Sequence, residues 1–220
     1  MADVVVFGTS DFASLAHFYL RHDSPHRVVA FTVERDYMPA SGAFEGLPVV
    51  PFDEVAAAFP PARHAGFAPL SHLRMNGLRE RIYSEFKALG YELISYVSSK
   101  ATRFPGGEIG DNCFILEDNT LQPFCRIGAD VVLWSGNHVG HHSVVGDHAF
   151  VTSHVVISGH CVVGRNSFLG VNATVRDGVT LGDHTYVGMA AAVLRDTPAR
   201  AVVKGNPGEV MKVTSDRLER

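Results

Sequence analysis

From Ile109 onward an aliphatic residue returns at every sixth position for fifteen consecutive hexads: Ile109, Ile115, Leu121, Ile127, Leu133, Val139, Val145, Val151, Ile157, Val163, Leu169, Val175, Leu181, Val187 and Val193. Ile, Leu and Val make up 50 of the 220 residues, so an unbroken run in one phase arises by chance with a probability of roughly 10⁻¹⁰. A period of six is neither the 3.6 of a helix nor the alternation of a half-buried strand. Four places after the aliphatic position stand mostly small residues: Cys113, Cys125, Ser143, Ala149, Cys161, Ser167, Ala173 and Ala191. Two inward positions two residues apart fit a short flat strand followed by a turn. Three such sides close an 18-residue coil of a triangular β-helix, and at ~4.8 Å per coil five coils make a prism about 24 Å tall.

Glycine follows the aliphatic residue in eight of the fifteen hexads, which suggests a corner where a Cβ would be strained. All three cysteines, Cys113, Cys125 and Cys161, fall on the small inward position. They are too few for a disulfide framework, lack CxxC spacing and are expected to be core thiols.

Residues 1–97 read differently. ADVVVFGTSDFASLAHFYLRHD suggests a buried strand, a glycine-containing turn and a helix, and RVVAFTVERD a second strand ending in charge. NGLRERIYSEFKALG reads as a helix closed by Gly90 and YELISYVSS as a further strand. The expectation is a small Rossmann-like α/β domain with a parallel sheet over 1–97, a β-helix over 98–200 and a C-terminal tail over 201–220. In such sheets ligands sit at the carboxyl ends of the strands.

Net charge is −4 and neither half is basic, which argues against a nucleic-acid partner. No apolar run approaches the ~20 residues of a membrane span, and the first stretch meets Gly8 and Asp11 too early for a signal peptide. A cytoplasmic location is expected.

Seven of the twelve histidines lie between 138 and 184, and His142, His148, His154 and His160 are spaced six apart. Their phase points them outward at successive corners, so only His142 and His160, 18 apart, share an edge, where histidines could serve as zinc ligands. Polar residues such as Asn112, Asp118, Asp130, Asn166 and Asn172 fall at the same position, and no metal is expected. His141 sits one place earlier, in Asn137-His138-Val139-Gly140-His141-His142, and suits a general base. Gly8-Thr9-Ser10 could present amides and hydroxyls to a phosphate at a helix N-terminus. Lys204, in Lys204-Gly205-Asn206-Pro207, offers a cation on a shaped loop.

These segments, with LPVVPFDEV and GHHSVVGD, resemble the hexapeptide-repeat, left-handed β-helix acyltransferases, in particular their nucleotide-sugar N-acetyltransferase branch. The resemblance implies a homotrimer with sites in clefts between prisms, the N-terminal domain holding the nucleotide-sugar and acetyl-CoA lying along the β-helix as co-substrate. It places the catalytic base on His141, an amide facing the acetyl carbonyl on Gly159, and a basic residue near the CoA phosphates on Lys204. Gly8, Thr9 and Ser10 would lie near the nucleotide-sugar phosphates and Glu34 near the base, with Asn137, His138 and His142 in support. Some relatives carry an acidic residue after the histidine, where this chain has His142, so the group orienting His141 is left open. Buried cysteines would exclude an acyl-enzyme, leaving direct attack of a sugar amine on the thioester. Two alternatives share the scaffold: a sugar O-acetyltransferase and a γ-carbonic-anhydrase-like zinc enzyme. A structural or ice-binding β-helix ranks below both, because the outward faces are charged and His-rich.

Overall fold

The computed structural model describes residues 1–206; from Pro207 onward the expected tail lies outside the described residues. The N-terminal domain contains strands β1 (Asp3–Phe7), β2 (Arg27–Val33), β3 (Ala43–Phe44), β4 (Leu47–Pro51) and β5 (Ala65–Phe67), in sheet order β3-β4-β2-β1-β5. Helices α1 (Asp11–Asp23), α2 (Val55–Ala58) and α3 (Gly77–Ala88) complete it. The valine run of β1 is continuous because the strand is covered on both faces. Val4 and Val6 pack with Ala13, Ala16 and Leu20 of α1, while Val5 and Phe7 pack with Ile82 and Phe86 of α3. β4, β2, β1 and β5 are parallel, but β3 pairs antiparallel with β4. Two successive left-handed residues, Glu45 and Gly46, close that hairpin, a local turn the strand pattern did not reveal.

The C-terminal domain consists of eighteen two-residue strands, β6 (Tyr96–Val97) to β23 (Val202–Val203), in three parallel sheets of six, five and seven strands. Successive rungs are 18 residues apart: His138 pairs with Thr120 on one side and Val156 on the other. The aliphatic and small positions of the hexad form one continuous interior from Cys113 to Val193. All three cysteines are buried there, and burial pushes the Cys113 thiol up to about 12. The triangular β-helix expected from the period, and left-handed as the resemblance implies, is present, with strands beyond the fifteen hexads at both ends. YELISYVSS is not one strand of the α/β sheet: Leu93 makes a single bridge to Gly66, and Tyr96–Val97 already pairs with Phe114–Ile115. Val97 is itself in phase with the hexads, which is why the chain enters the prism there.

The corners correct the sequence reading. Left-handed backbone recurs every six residues, at Asn112, Asp118, Phe124, Asp130, Gly136, His142, His148, His154, His160, Asn166, Asn172, Gly178, His184 and Ala190. Asn, Asp and His tolerate this region better than most residues, so the histidine series reflects backbone conformation as well as polarity. The glycines after the aliphatic position serve another purpose. A Cβ on Gly140 would fall 2.5 Å from the Gly159 nitrogen and one on Gly164 2.5 Å from that of Asp183, so they let adjacent coils stack closely.

One face of the prism, carrying Phe114, Val132, Phe150 and Phe168 outward at 18-residue intervals, is covered by the N-terminal domain and shares its core. Phe12 of α1 meets Phe114, Trp134 and Phe150 edge-on or tilted. No described helix is long and apolar enough to cross a membrane.

Candidate functional site

Three edges run along the prism. The edge through Asn112, Asp130, His148 and Asn166 lies under α3. Arg79 is fully buried, its Nε 3.1 Å from Asp130 Oδ2, and its Nη2 donates to the His148 carbonyl at 2.5 Å. Asp130 also accepts from Asn112 at 2.6 Å and contacts His148 Nδ1 at 2.8 Å. Glu80 bonds Arg165 at 2.5 Å and Asn166 at 2.9 Å, and lies 3.9 Å from His148 Nε2. A buried carboxylate and guanidinium satisfied in this way form a structural joint. His148, expected at an outward corner, is 7% exposed, because α3 packs over its edge.

The edge through Phe124, His142, His160 and Gly178 is the one that does not border the covered face. The strand His138–Val139 leads into Gly140 and then into exposed His141 and His142. The His141 amide donates to Gln122 Oε1 at 2.9 Å, and its Nδ1 lies 3.1 Å from His142 Nδ1. With both rings neutral, one Nδ1 carries the proton and the other accepts it. His142 stacks on His160 at 4.9 Å and 13°, against Phe124 on its other side at 4.9 Å. His141 meets His160 edge-on at 4.9 Å. A Cβ on Gly159 would come within 2.9 Å of His141 Cε1 and 3.3 Å of Asp177 Oδ1. The absent side chain thus leaves room for the imidazole.

The expected site residues divide into separate groups. His141, His142 and Gly159 are together; His160 joins them, as its 18-residue spacing from His142 implies, and Gln122 and Asp177 join unanticipated. The Gly159 N–H, expected to face an acyl carbonyl, donates to Asp177 Oδ1 at 2.7 Å. Asn137 is buried and ties neighbouring coils, its Oδ1 accepting from Val155 N–H at 2.8 Å and its Nδ2 donating to the Trp134 carbonyl. Its role is architectural, because its hexad position points inward. His138 is half-buried on the strand before the corner.

Gly8, Thr9 and Ser10 lie at the carboxyl end of β1, where the parallel strand order reverses between β2 and β5. Gly8 has φ +113, and its N–H donates to the Thr32 carbonyl at 2.8 Å. Ser10 is the N-cap of α1, but its hydroxyl makes no capping bond. Glu34 follows β2, pairs with Arg81 at 3.0 Å and lines a surface cavity of about 510 Å³ with Phe52 and Leu89. Lys204 is exposed after β23, and the adjoining Gly205 packs against the Met189 backbone. The cavity lined by Glu34 does not include His141. The 18-residue spacing that sets His142 and His160 on one edge is borne out by their stacked rings, and Phe124, at the same spacing, extends the stack.

Residues 124–159 match the bacterial transferase hexapeptide (six repeats) model, and residues 161–195 match the hexapeptide repeat of succinyl-transferase. No curated protein matches the chain by sequence. Among solved structures, a histidine-to-asparagine mutant of perosamine N-acetyltransferase from Caulobacter crescentus, in complex with CoA and GDP-perosamine, is similar. It is 24% identical, with 92% of this chain and 93% of that one covered and a TM-score of 0.82. The acetyltransferase domain of PglB from Neisseria gonorrhoeae FA1090, in complex with acetyl coenzyme A, is 20% identical over 95% and 98% of the two chains, with a TM-score of 0.82. WeeI from Acinetobacter baumannii AYE is 20% identical over 96% and 100%, with a TM-score of 0.78. The likeness spans both domains and shows their common fold.

Proposed function

We propose that this hexapeptide-repeat protein is an acetyl-CoA-dependent N-acetyltransferase acting on the amino group of a nucleotide-linked amino sugar. The observation that carries the reading is His141: an exposed imidazole whose amide is fixed by Gln122 and whose Nδ1 faces His142, beside a glycine that leaves its ring edge open. With Nδ1–H donated to His142, Nε2 of His141 is free to accept a proton. The amine nitrogen attacks the thioester carbonyl carbon, Nε2 takes the amine's proton, and the C–S bond breaks to release CoA. The buried thiols take no part, in keeping with direct attack. The Gly159 N–H serves the carbonyl oxygen once the Asp177 carboxylate yields it.

The end-to-end likeness to an acetyltransferase solved with CoA and GDP-perosamine supports the substrate class. In this reading Gly8, Thr9 and Ser10 meet the nucleotide-sugar phosphates at the α1 N-terminus, Glu34 the base and Lys204 the CoA phosphates. Because the β1 turn and His141 lie on different sides of one prism, the complete site needs a neighbouring chain, and a homotrimer supplies it. A cytoplasmic location is part of this reading.

The test is a panel of nucleotide-linked amino sugars incubated with acetyl-CoA and followed by release of free thiol. Acceptor-dependent release is expected, and none across the panel would overturn the reading. An active monomer of 23.8 kDa in sedimentation would overturn the shared site.

A further inference from the structure

The free edge of the prism gathers three imidazoles. One nitrogen from each of His141, His142 and His160 lies within 4.8 Å of the others. The arrangement is set by the backbone: His142 and His160 occupy equivalent left-handed corners one coil apart. The His160 N–H donates to the His141 carbonyl at 2.9 Å, locking the two rungs in register. The rings of His142 and His160 stack face to face, and His141 closes the group edge-on to both. Sequence spacing alone pairs His142 with His160; the corner geometry adds His141.

We infer that this cluster is a binding site for a divalent transition-metal ion of the zinc class. Tetrahedral zinc at about 2.0–2.1 Å from each imidazole nitrogen holds those nitrogens roughly 3.4 Å apart. The 3.1 Å between the Nδ1 atoms of His141 and His142 already approximates that spacing. Small rotations of exposed rings bring in the third nitrogen, since exposed side chains reorient readily. An all-imidazole set favours zinc, copper or nickel over magnesium or calcium, which prefer oxygen. Three ligands from one chain leave a fourth position open to water. Binding moves the proton between the two Nδ1 atoms to a ring nitrogen that faces away from the metal, with no change of oxidation state.

The site shares His141 with the acetyl-transfer reading, so its functional consequence rests on that reading: metal held by His141 denies the imidazole to the amine's proton. Zinc is then a reversible inhibitor. Metal binding itself requires no transferase activity, and the two can fail separately.

The test titrates Zn²⁺, and Mg²⁺ as a hard-cation arm, into the full-length protein by calorimetry. One Zn²⁺ per chain and no Mg²⁺ response are expected. His160→Gln and His142→Gln should each weaken zinc binding at least tenfold, as loss of one of three ligands does. His154→Gln, an exposed corner histidine on another edge, should leave it unchanged. Absence of zinc binding, or equal affinity in the wild type and both cluster variants, would overturn the site. In the acetyl-transfer assay, zinc should suppress thiol release and a chelator should restore it. Zinc binding in a protein without transferase activity upholds the metal site and overturns the functional reading instead.

Discussion

His142 and His148 are six residues apart, occupy the same hexad phase and share the same left-handed backbone, with φ of 59° and 61°. Their surroundings are opposite. His148 lies under α3, bonded to a buried Asp130 that also holds Arg79. His142 stands on the free edge, stacked between Phe124 and His160 and facing His141. The repeat fixes where a side chain leaves the prism; what waits outside decides whether it is a structural joint or available chemistry.

The largest effect expected on this contrast is functional. His141→Asn removes the proposed base and should lower kcat by roughly 10² to 10⁴, with a smaller change in KM for acetyl-CoA. Steady-state thiol release measures it, and near-normal turnover would move the base elsewhere. On the covered edge, Asp130→Ala leaves the Arg79 guanidinium buried without its charge partner and should cost about 3–5 kcal/mol of stability. Chemical denaturation reads this directly; a change below 1 kcal/mol would mean that water reaches the joint.

A paired substitution sharpens the comparison. Phase alone marks His148→Asn as neutral, but the structure assigns it a loss of about 1–3 kcal/mol, because Asp130 loses a buried partner. Its turnover should stay normal in the folded enzyme. His142→Asn should do the reverse, slowing turnover with little change in the unfolding midpoint. If the two variants behaved alike in both assays, the edges would not differ as described.

The smallest effect concerns the joint between α1 and the first rung. Asp23 accepts from the Ser99 amide at 2.9 Å, from the Tyr96 hydroxyl at 2.8 Å and from Ser98. Bonds from Ser99 first, then Tyr96 and Ser98, outweigh burial and lower its carboxyl pKa from 3.8 to about 2. A carboxyl depressed in the folded state stabilises it above the unfolded value and loses that contribution as pH falls through about 2. Asp23→Asn should therefore cost about 1 kcal/mol at neutral pH. The gap from wild type should narrow between pH 4 and 2; a gap independent of pH would remove the carboxylate from the account.

The β-helix was legible because burial of one aliphatic position per hexad is a local, repeated demand that each segment satisfies with its own coil neighbours. The core thiols followed from the same phase, and the β1 turn from the valine run ending at Gly8. His141 stood out from its neighbours by one place in the repeat, whereas the partners around it, Gln122, His160 and Asp177, come from adjacent coils. The glycines after the aliphatic position were misread because close stacking of coils and positive φ both favour glycine in sequence.

By itself, then, the sequence determined the repeat, the prism interior, the α/β start and the corner on which His141 stands, since each depends on periodicity or on contacts along the chain. Tertiary structure alone decided which face the N-terminal domain covers and that Arg79 is buried against Asp130. It also decided that Asp177 holds the Gly159 amide and that His141, His142 and His160 meet. Those outcomes depend on how α3 docks and how successive coils lie over one another, and neither is encoded at any one position of the hexad.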